Sequence, residues 1–355
     1  MKLVLGDGTV FGGTAFGADR DAAGEVVFNT GMTGYVEALT DPSYRGQILV
    51  LTYPLQGNYG VPASPWESGR IQVDGLVIAR LAVRPTHPGM RETLGEWLER
   101  AGVPAIQGVD TRALTRLLRA QGTMTGNLMR DGGSSSEHPS RVDMKRVAEL
   151  VTEPGIHHEG TGKRRVLVID CGTKRSIIAS LLERDFSVVR AAFFEKWEPL
   201  VDQVDAVVLP NGPGDPADLG SLVERLRPLL AGKKPVLGIC LGHQLLALAA
   251  GATTYKLPYG HRSQNQPVVD VTTGRAYLTS QNHGYAVRSE SLPGDFVEWF
   301  KNLNDGTNEG VRHTSLPIMS VQFHPEAASG PHDTQHVFDR FAELVFARPA
   351  TEVTS

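Results

Sequence analysis

Three short apolar runs in the second half of the chain constrain its fold more than any other feature. The runs 166–170 (VLVID), 206–210 (AVVLP) and 235–239 (PVLGI) consist almost entirely of apolar residues. Amphipathic stretches of helix length, 174–184 and 218–230, lie between them. Strands that are apolar on both faces are typical of parallel sheets covered by helices. We therefore predict an open α/β sheet with right-handed βαβ crossovers.

The pattern before these runs is different. Short β-prone segments alternate with Gly- and Pro-rich turns and predict a β-rich half with strands at 2–5, 25–28, 47–52 and 75–78. Apolar spacing adds two helices to that half, at 90–101 and 111–120. Further strands are expected in the second half at 276–279, 297–299 and 318–322, followed by a closing helix at 333–346.

A change of composition at 131–164 divides the two halves, and a chain of 355 residues is long enough for two domains. We predict an N-terminal domain at 1–152, a linker at 153–163, an α/β domain at 164–348 and a frayed tail at 349–355. The fold class is thus α/β, with a smaller β-rich domain first.

Composition and charge exclude several classes of function. The chain has 35 basic and 39 acidic residues and no long basic run, so we expect no nucleic-acid partner. Two cysteines, Cys171 and Cys240, are too few for a disulfide framework, which indicates a reducing, cytoplasmic location. The first ten residues lack a signal core, and no stretch reaches the roughly 18 apolar residues of a membrane span.

The segment Gly238-Ile239-Cys240-Leu241-Gly242 predicts a nucleophile elbow. It follows an apolar strand and precedes the apolar helix-forming stretch LLALAA. A sharp strand-to-helix turn favours small neighbours around the nucleophile, and a helix N-terminus lowers the pKa of a thiol. Cys240 is therefore the candidate nucleophile. The alternative is an inert buried thiol, which is our interpretation of Cys171 because it lacks these glycines.

A nucleophilic thiol needs a base, and the base needs an orienting group. The segment His324-Pro325-Glu326 supplies both, because residues two apart in an extended chain point to one side. The rival bases are His243, expected in the first turn of a helix, and His283, expected in the loop QNHGY.

The turn Asn211-Gly212-Pro213-Gly214-Asp215 follows the strand at 206–210, and the sites of open α/β sheets form at such strand ends. We expect the backbone N–H groups of Gly212 and Leu241 to form an oxyanion hole. A metal site from Cys240, His243 and His324 lacks a paired-ligand spacing, so no metal is expected.

These three motifs together resemble the class I, or triad-type, glutamine amidotransferases. The resemblance covers roughly 164–347 and implies a flavodoxin-like open sheet. It also implies hydrolysis of glutamine to glutamate and ammonia through a thioester on Cys240, with His324 and Glu326 as catalytic partners.

The first half resembles the N-terminal domain of carbamoyl-phosphate synthetase small subunits, in GEVVFNTGMTGYVEALTDPSYRGQILVLTYPLQGNYG (24–60) and GVDTRALTRLLR (108–119). The resemblance implies a pocket at the domain interface that binds L-glutamine through Ser43, Gly212, Gly214, Leu241, Gln244, Asn282, Gly284 and Tyr285. Two departures from the family pattern, Ser263 in place of a more usual glycine and a short junction, concern loop geometry.

The family reaction uses two molecules of ATP, bicarbonate and glutamine, yet the chain has no GxxxxGK[ST] loop. We expect no cofactor on this chain, with ATP and Mg²⁺ used by a large ATP-grasp partner subunit in a heterodimer or higher oligomer. Arginine or pyrimidine synthesis, or both, would consume the carbamoyl phosphate.

Three alternatives remain at this point. A stand-alone cysteine hydrolase or peptidase on the same scaffold would have no need for QNHGY and the N-terminal half. A docking subunit without catalysis would have no need for an intact Cys, His and Glu. An amidotransferase subunit of another synthetase would not have the first half of this chain.

Overall fold

The computed structural model describes residues 1–64, 66–131 and 142–351. The chain forms two compact units, Met1–Val147 and Ala148–Ser355. The Ser/Gly-rich part of the predicted junction, 132–141, and the end of the predicted tail, 352–355, lie outside the described residues. No helix among the described residues is long and apolar enough to cross a bilayer.

The first unit is β-rich, as the sequence predicts. Its strands are β1 Lys2–Leu5, β2 Val10–Gly12, β3 Thr14–Gly17, β4 Ala22–Asn29, β5 Gln47–Gln56, β6 Val61–Pro62, β7 Gly75–Leu81, β8 Met90–Glu92, β9 Pro104–Gln107 and β10 Met124–Met129. Its helices are α1 Tyr35–Thr40, α2 Leu94–Arg100 and α3 Thr111–Gln121. Within the described residues, eight strands form one sheet in the order β2-β1-β10-β4-β5-β7-β9-β3. Leu39, Leu49 and Trp97 lie in the apolar cluster between this sheet and the helices.

The second unit contains a larger mixed sheet. The short helix α4, Val147–Val151, includes the division between the units. The strands that follow are β11 Ile156–Glu159, β12 Arg164–Asp170, β13 Phe186–Ala192, β14 Ala206–Leu209, β15 Val236–Ile239, β16 Thr254–Asp270, β17 Ala276–Val287, β18 Phe296–Asn302, β19 Asn308–His313 and β20 Ile318–Val321. The helices are α5 Arg175–Leu182, α6 Glu198–Val201, α7 Gly220–Ala231, α8 Leu241–Ala250 and α9 His336–Phe346.

The order of strands in this sheet, among the residues described, is β11-β13-β12-β14-β15-β20-β19-β18-β16-β17. Strands β13, β12, β14, β15 and β20 run parallel, which confirms the predicted open α/β sheet. The parallel strands are buried on both faces: in β12, Val166 and Val168 lie in one apolar cluster, and Leu167 and Ile169 lie in the other. The period-2 alternation of a strand explains why a continuous apolar run supplies both clusters.

Several predicted boundaries were wrong. The helix predicted at 90–101 begins at Leu94, because Thr93 and Glu96 form a capping box, and its first predicted residues form β8. The helix at 218–230 begins at Gly220 after a 3₁₀ turn, Pro216–Leu219. The motif QNHGY, predicted as a loop, lies within β17, which pairs with β16 over most of its length. Ser263 likewise lies in β16, opposite Gln281.

The parallel strands determine where chemistry can occur. The carboxyl ends of β12, β14, β15 and β20 lie at the same edge of the sheet because these strands run in one direction. The segments that leave this edge begin at Cys171, Pro210, Cys240 and Gln322. All three catalytic motifs predicted from the sequence therefore leave one edge of the same sheet.

Candidate active site

Cys240 occupies the sharp turn between β15 and α8. Its φ is 55° and its ψ is −106°, a backbone conformation that residues other than glycine rarely adopt. Its backbone N–H donates to the Val321 oxygen at 2.9 Å, which ties the turn to β20. A Cβ added to Gly242 would collide with the Leu209 carbonyl, and one added to Gly238 would lie 2.7 Å from the Gly242 oxygen. This strained turn, closed by two glycines, has the geometry of a nucleophile elbow.

His324 and Glu326 form a buried hydrogen-bonded pair beside this turn. His324 Nδ1 lies 2.6 Å from Glu326 Oε1, so the predicted base and orienting group are in contact. The backbone N–H of His324 donates to the Ser280 oxygen at 2.9 Å and fixes the segment against β17. Nε2 of His324 is buried and has no hydrogen-bond partner among the described residues. It is therefore the ring atom available to a thiol or a leaving group.

Electrostatics couples these side chains. Burial acts to lower the pKa of His324, but Glu326 and Cys240 together outweigh burial and raise the pKa to about 10. Lys174 opposes this increase, while Cys240 adds to it, which places the thiol beside the imidazole. The thiol, the imidazole and the carboxylate therefore form one coupled group, as a catalytic triad requires.

Lys174 is a buried residue that the sequence analysis missed. Its Nζ donates to Glu326 Oε1 at 2.9 Å and to the Ala328 oxygen at 3.3 Å, and its backbone N–H donates to Asn211 Oδ1 at 2.9 Å. Burial acts to raise the pKa of Glu326, but Lys174 and His324 outweigh burial and lower the pKa to about 2. Glu326 is therefore ionised near neutral pH.

A loop at the end of β12 positions Lys174. Asp170 Oδ1 accepts from the Gly172 and Thr173 N–H groups and from the Thr173 hydroxyl, each at 2.8 Å. These bonds fold the chain back before α5 begins, so that Lys174 turns toward Glu326. No local signal identifies this lysine in the sequence, because its partner lies 152 residues away.

Replacement of Lys174 by methionine tests this arrangement. We expect kcat/KM for glutamine hydrolysis to fall on the order of 10²-fold, because Glu326 would no longer be held against His324. We also expect the free energy of unfolding to fall by about 3 kcal/mol at neutral pH, because a buried carboxylate loses its cation. Steady-state kinetics and urea unfolding measure the two effects.

The pH dependence of that stability loss follows from Glu326. The pKa of Glu326 is lowered in the folded state, so its ionised carboxylate contributes to the free energy of unfolding above the unfolded pKa of about 4.3. This contribution is lost as pH falls toward 2. The stability difference between the wild type and Lys174→Met should therefore narrow below about pH 4. Arg175→Met, at the exposed start of α5, is the matched control. Equal effects of the two variants would contradict the role of Lys174.

The two predicted oxyanion donors lie close together. A Cβ added to Gly212 would meet the Cys171 oxygen and would lie 2.6 Å from Leu241 Cδ2. Gly212 has no side chain there, so its backbone approaches the start of α8. The N–H groups of Gly212 and Leu241 donate to no other residue within the described ranges. Both remain available to an oxyanion at the helix N-terminus.

The predicted glutamine-binding residues fall into two groups. In the second unit, the Cys240 thiol lies 3.6 Å from the Asn282 oxygen, and Gln244 Nε2 donates to the Tyr285 oxygen at 2.8 Å. These contacts bring α8 and β17 together, with Gly284 half-buried between Asn282 and Tyr285. Gly214, at φ 96°, lies in the loop after β14.

Ser43 belongs to the first unit. It lies in a 3₁₀ turn, Pro42–Tyr44, and its N–H donates to Asp41 Oδ1 at 2.9 Å. Its place in the glutamine pocket stays a prediction.

The rival histidines lack the contacts of a general base in a triad. His243 is fully buried in the first turn of α8, where its Nδ1 lies 2.8 Å from Ser320 Oγ and burial lowers its pKa to about 3. His283 Nδ1 lies 2.8 Å from the Tyr285 oxygen. Neither histidine is bonded to a carboxylate within the part of the chain that the structure describes, whereas His324 contacts Glu326.

Three other buried residues have potential metal ligands near one another. Ligand atoms of His261, His283 and Glu309 lie within 4.8 Å of each other, and among the described residues this group does not include Cys240, His243 or His324. Gln281 Oε1 lies 3.1 Å from His261 Nδ1 and 2.9 Å from His283 Nε2, and Gln281 Nε2 donates to Glu309 Oε2 at 2.9 Å. These atoms therefore form a hydrogen-bond network around an amide.

Cys171 is buried and follows β12. Its thiol donates to the Ile169 oxygen at 3.7 Å, and burial, with Asp170, raises its pKa well above the usual value of a thiol. It therefore stays protonated, in contrast to what a nucleophile requires.

Two protein families match separate parts of the chain. Residues 3–128 match the carbamoyl-phosphate synthase small chain, CPSase domain, and residues 167–344 match the class-I glutamine amidotransferase family. The carbamoyl phosphate synthase small chain of Methanopyrus kandleri is 49% identical over 96% of this chain and 98% of that protein. That of Symbiobacterium thermophilum is 48% identical, over 96% and 97%.

An arginine-specific relative is also similar. The carbamoyl phosphate synthase arginine-specific small chain of Chaetomium globosum is 46% identical over 97% of this chain and 78% of that protein. Similarity at this level over nearly the whole chain establishes the family. The chain belongs to the carbamoyl-phosphate synthase small-chain family.

Proposed function

We propose that this chain hydrolyses L-glutamine and delivers the ammonia to an ATP-dependent large subunit that makes carbamoyl phosphate from bicarbonate. The observation that carries the proposal is the buried contact of His324 with Glu326 beside the strained Cys240 turn, in a chain of this family. Cys240 is the nucleophile, His324 the acid and base, and Glu326 orients His324.

The first chemical step forms a thioester. The Cys240 thiolate attacks the carboxamide carbon of glutamine, and the carbonyl oxygen becomes an oxyanion that the Gly212 and Leu241 N–H groups stabilise. The protonated His324 then donates its Nε2 proton to the amide nitrogen. The C–N bond breaks, ammonia leaves, and the γ-glutamyl group remains bound to sulfur.

The second step releases glutamate. The now neutral His324 removes a proton from a water molecule, which attacks the thioester carbon. The C–S bond breaks, glutamate leaves, and the Cys240 thiolate and protonated His324 are restored. Glu326 stays ionised throughout, because Lys174 and His324 hold its pKa low.

Substrate binding is assigned to the residues around this centre. The Asn282 carbonyl lies next to the Cys240 thiol, and Gln244 donates to the Tyr285 carbonyl. These contacts support a pocket along β17 for the amino and carboxylate ends of glutamine. Gly214, Gly284 and Ser43 complete the proposed set.

The partner we propose is a large ATP-grasp subunit, in a heterodimer or a higher oligomer. ATP and Mg²⁺ would act there, and this chain would need no cofactor of its own. The carbamoyl phosphate would supply arginine synthesis, pyrimidine synthesis or both. Since the described cysteines are free and buried, we also propose a cytoplasmic location.

Isotope transfer tests the proposal. The purified chain, alone and with a large ATP-dependent synthetase subunit, is supplied with glutamine labelled with ¹⁵N in its side-chain amide, and glutamate release is measured. We expect slow hydrolysis alone and faster hydrolysis with the partner, because docking completes the site. With excess unlabelled ammonium present, the carbamoyl phosphate should still contain ¹⁵N. A chain that is inert in both settings would instead be a docking subunit without catalysis.

A further inference from the structure

Arg262 is a buried cation without an anionic partner among the residues that the structure describes. It lies in β16, and only 6% of its surface is exposed. Its Nη1 donates to the Tyr259 carbonyl at 2.7 Å, while its Nε is buried and unbonded. Arg262 forms no salt bridge with any residue in the described ranges. A buried charge that lacks a counter-charge is costly, so such a site favours a bound anion.

The position of Arg262 places its charge beside the proposed glutamine pocket. Arg262 pairs with Asn282 across the β16–β17 ladder, and the Asn282 carbonyl lies 3.6 Å from the Cys240 thiol. A Cβ added to Gly284 would lie 3.3 Å from Arg262 Nη2, so the guanidinium extends along the strand past this glycine. Gly284 and Tyr285 are half-buried, so the strand next to the guanidinium is partly exposed.

We propose that Arg262 binds the α-carboxylate of L-glutamine and thereby selects amino-acid amides over simple amides. The inference rests on the proposed glutaminase activity. A guanidinium can donate two parallel N–H bonds to a carboxylate, and Arg262 has Nε and Nη2 on adjacent positions of its fork. The amide end of the substrate would then lie at Cys240, next to Asn282.

Two amides that differ in the α-carboxylate test this inference. L-Glutamine has the carboxylate, and 4-aminobutanamide is the same molecule without it. For Arg262→Met in the complex with the large subunit, we expect kcat/KM for L-glutamine to fall on the order of 100-fold, mainly through KM. The value for 4-aminobutanamide, or its inhibition constant if turnover is too slow, should stay within a factor of about two.

Matched variants separate binding from folding. Arg288→Met, on the half-exposed arginine that lies over Tyr255, should leave both substrates unaffected. Arg262→Lys should recover part of the loss, because a single ammonium donates fewer bonds to the carboxylate. If Arg262→Met does not fold, the selective loss for L-glutamine in Arg262→Lys decides the question.

Other results would overturn the assignment. Equal losses of kcat/KM for both amides would show that Arg262 stabilises the 256–261 bulge through its hydrogen bond to the Tyr259 carbonyl. If Arg262→Met lost only the acceleration of hydrolysis by the large subunit, the anion that Arg262 binds would belong to that subunit. A wild type inactive on L-glutamine would refute the glutaminase proposal instead. Calorimetric binding of L-glutamine to the wild type and to Arg262→Met would then test Arg262 by itself, and equal affinities would refute its role.

Discussion

Replacement of Cys240 by serine is expected to reduce glutamine hydrolysis by at least about 10⁴-fold, the size of effect seen when an essential nucleophile is removed. The hydroxyl fits the same buried turn, but it is far less acidic than a thiol and does not form a stable ion pair with His324. We expect the free energy of unfolding to change by less than about 1 kcal/mol, because the two side chains are nearly isosteric. Glutamate release and urea unfolding measure the two quantities.

The second cysteine provides the control for this variant. Cys171→Ser changes another buried thiol at the end of a parallel strand, but Cys171 has a raised pKa and no basic partner within the described part of the chain. Its hydrolysis rate should stay within a few-fold of the wild type. Synthesis of carbamoyl phosphate from added ammonium should be retained by the complex of Cys240→Ser with the large subunit. A hydrolysis rate that survives in Cys240→Ser would refute the triad.

The elements that the sequence predicts best are those with a local cause. Strands β12, β14 and β15 follow from apolar runs, and the Cys240 turn follows from glycines that leave room for the Leu209 carbonyl. His324 and Glu326 are predictable as a pair because they are two residues apart. In each case a few neighbouring residues determine the structure.

Features set by distant partners could not be predicted in the same way. The motif QNHGY has the composition of a loop, yet pairing with β16 makes it a strand, because register with a distant segment outweighs local propensity. Lys174 acquires its role from Glu326, and Arg262 acquires its position from Gly284, through contacts that only the folded chain contains. The start of α2 has a local cause, because the Thr93–Glu96 capping box lies within four consecutive residues of the sequence.

Replacement of His324 by asparagine is expected to lower kcat for glutamine hydrolysis by roughly 10³- to 10⁴-fold. Asparagine preserves a hydrogen bond to Glu326 but has no group that takes and returns a proton. The double variant with Cys240→Ser should be no less active than the single Cys240→Ser variant, because residues that act as one unit are not additive. Single-turnover release of ammonia from glutamine measures the loss at the acylation step.

His243→Asn is the matched control, because His243 is equally buried near Cys240 but bonds Ser320 instead of a carboxylate. His243→Asn should lower the free energy of unfolding and have little effect on the rate of glutamine hydrolysis. Since the pKa of His324 is raised to about 10 in the folded protein, its contribution to stability is fully present below pH of about 6.5 and is lost as pH rises toward 10. The stability difference between the wild type and His324→Asn should therefore shrink over that interval. A pH-independent difference, or a larger catalytic loss in His243→Asn, would show that His324 is not the base.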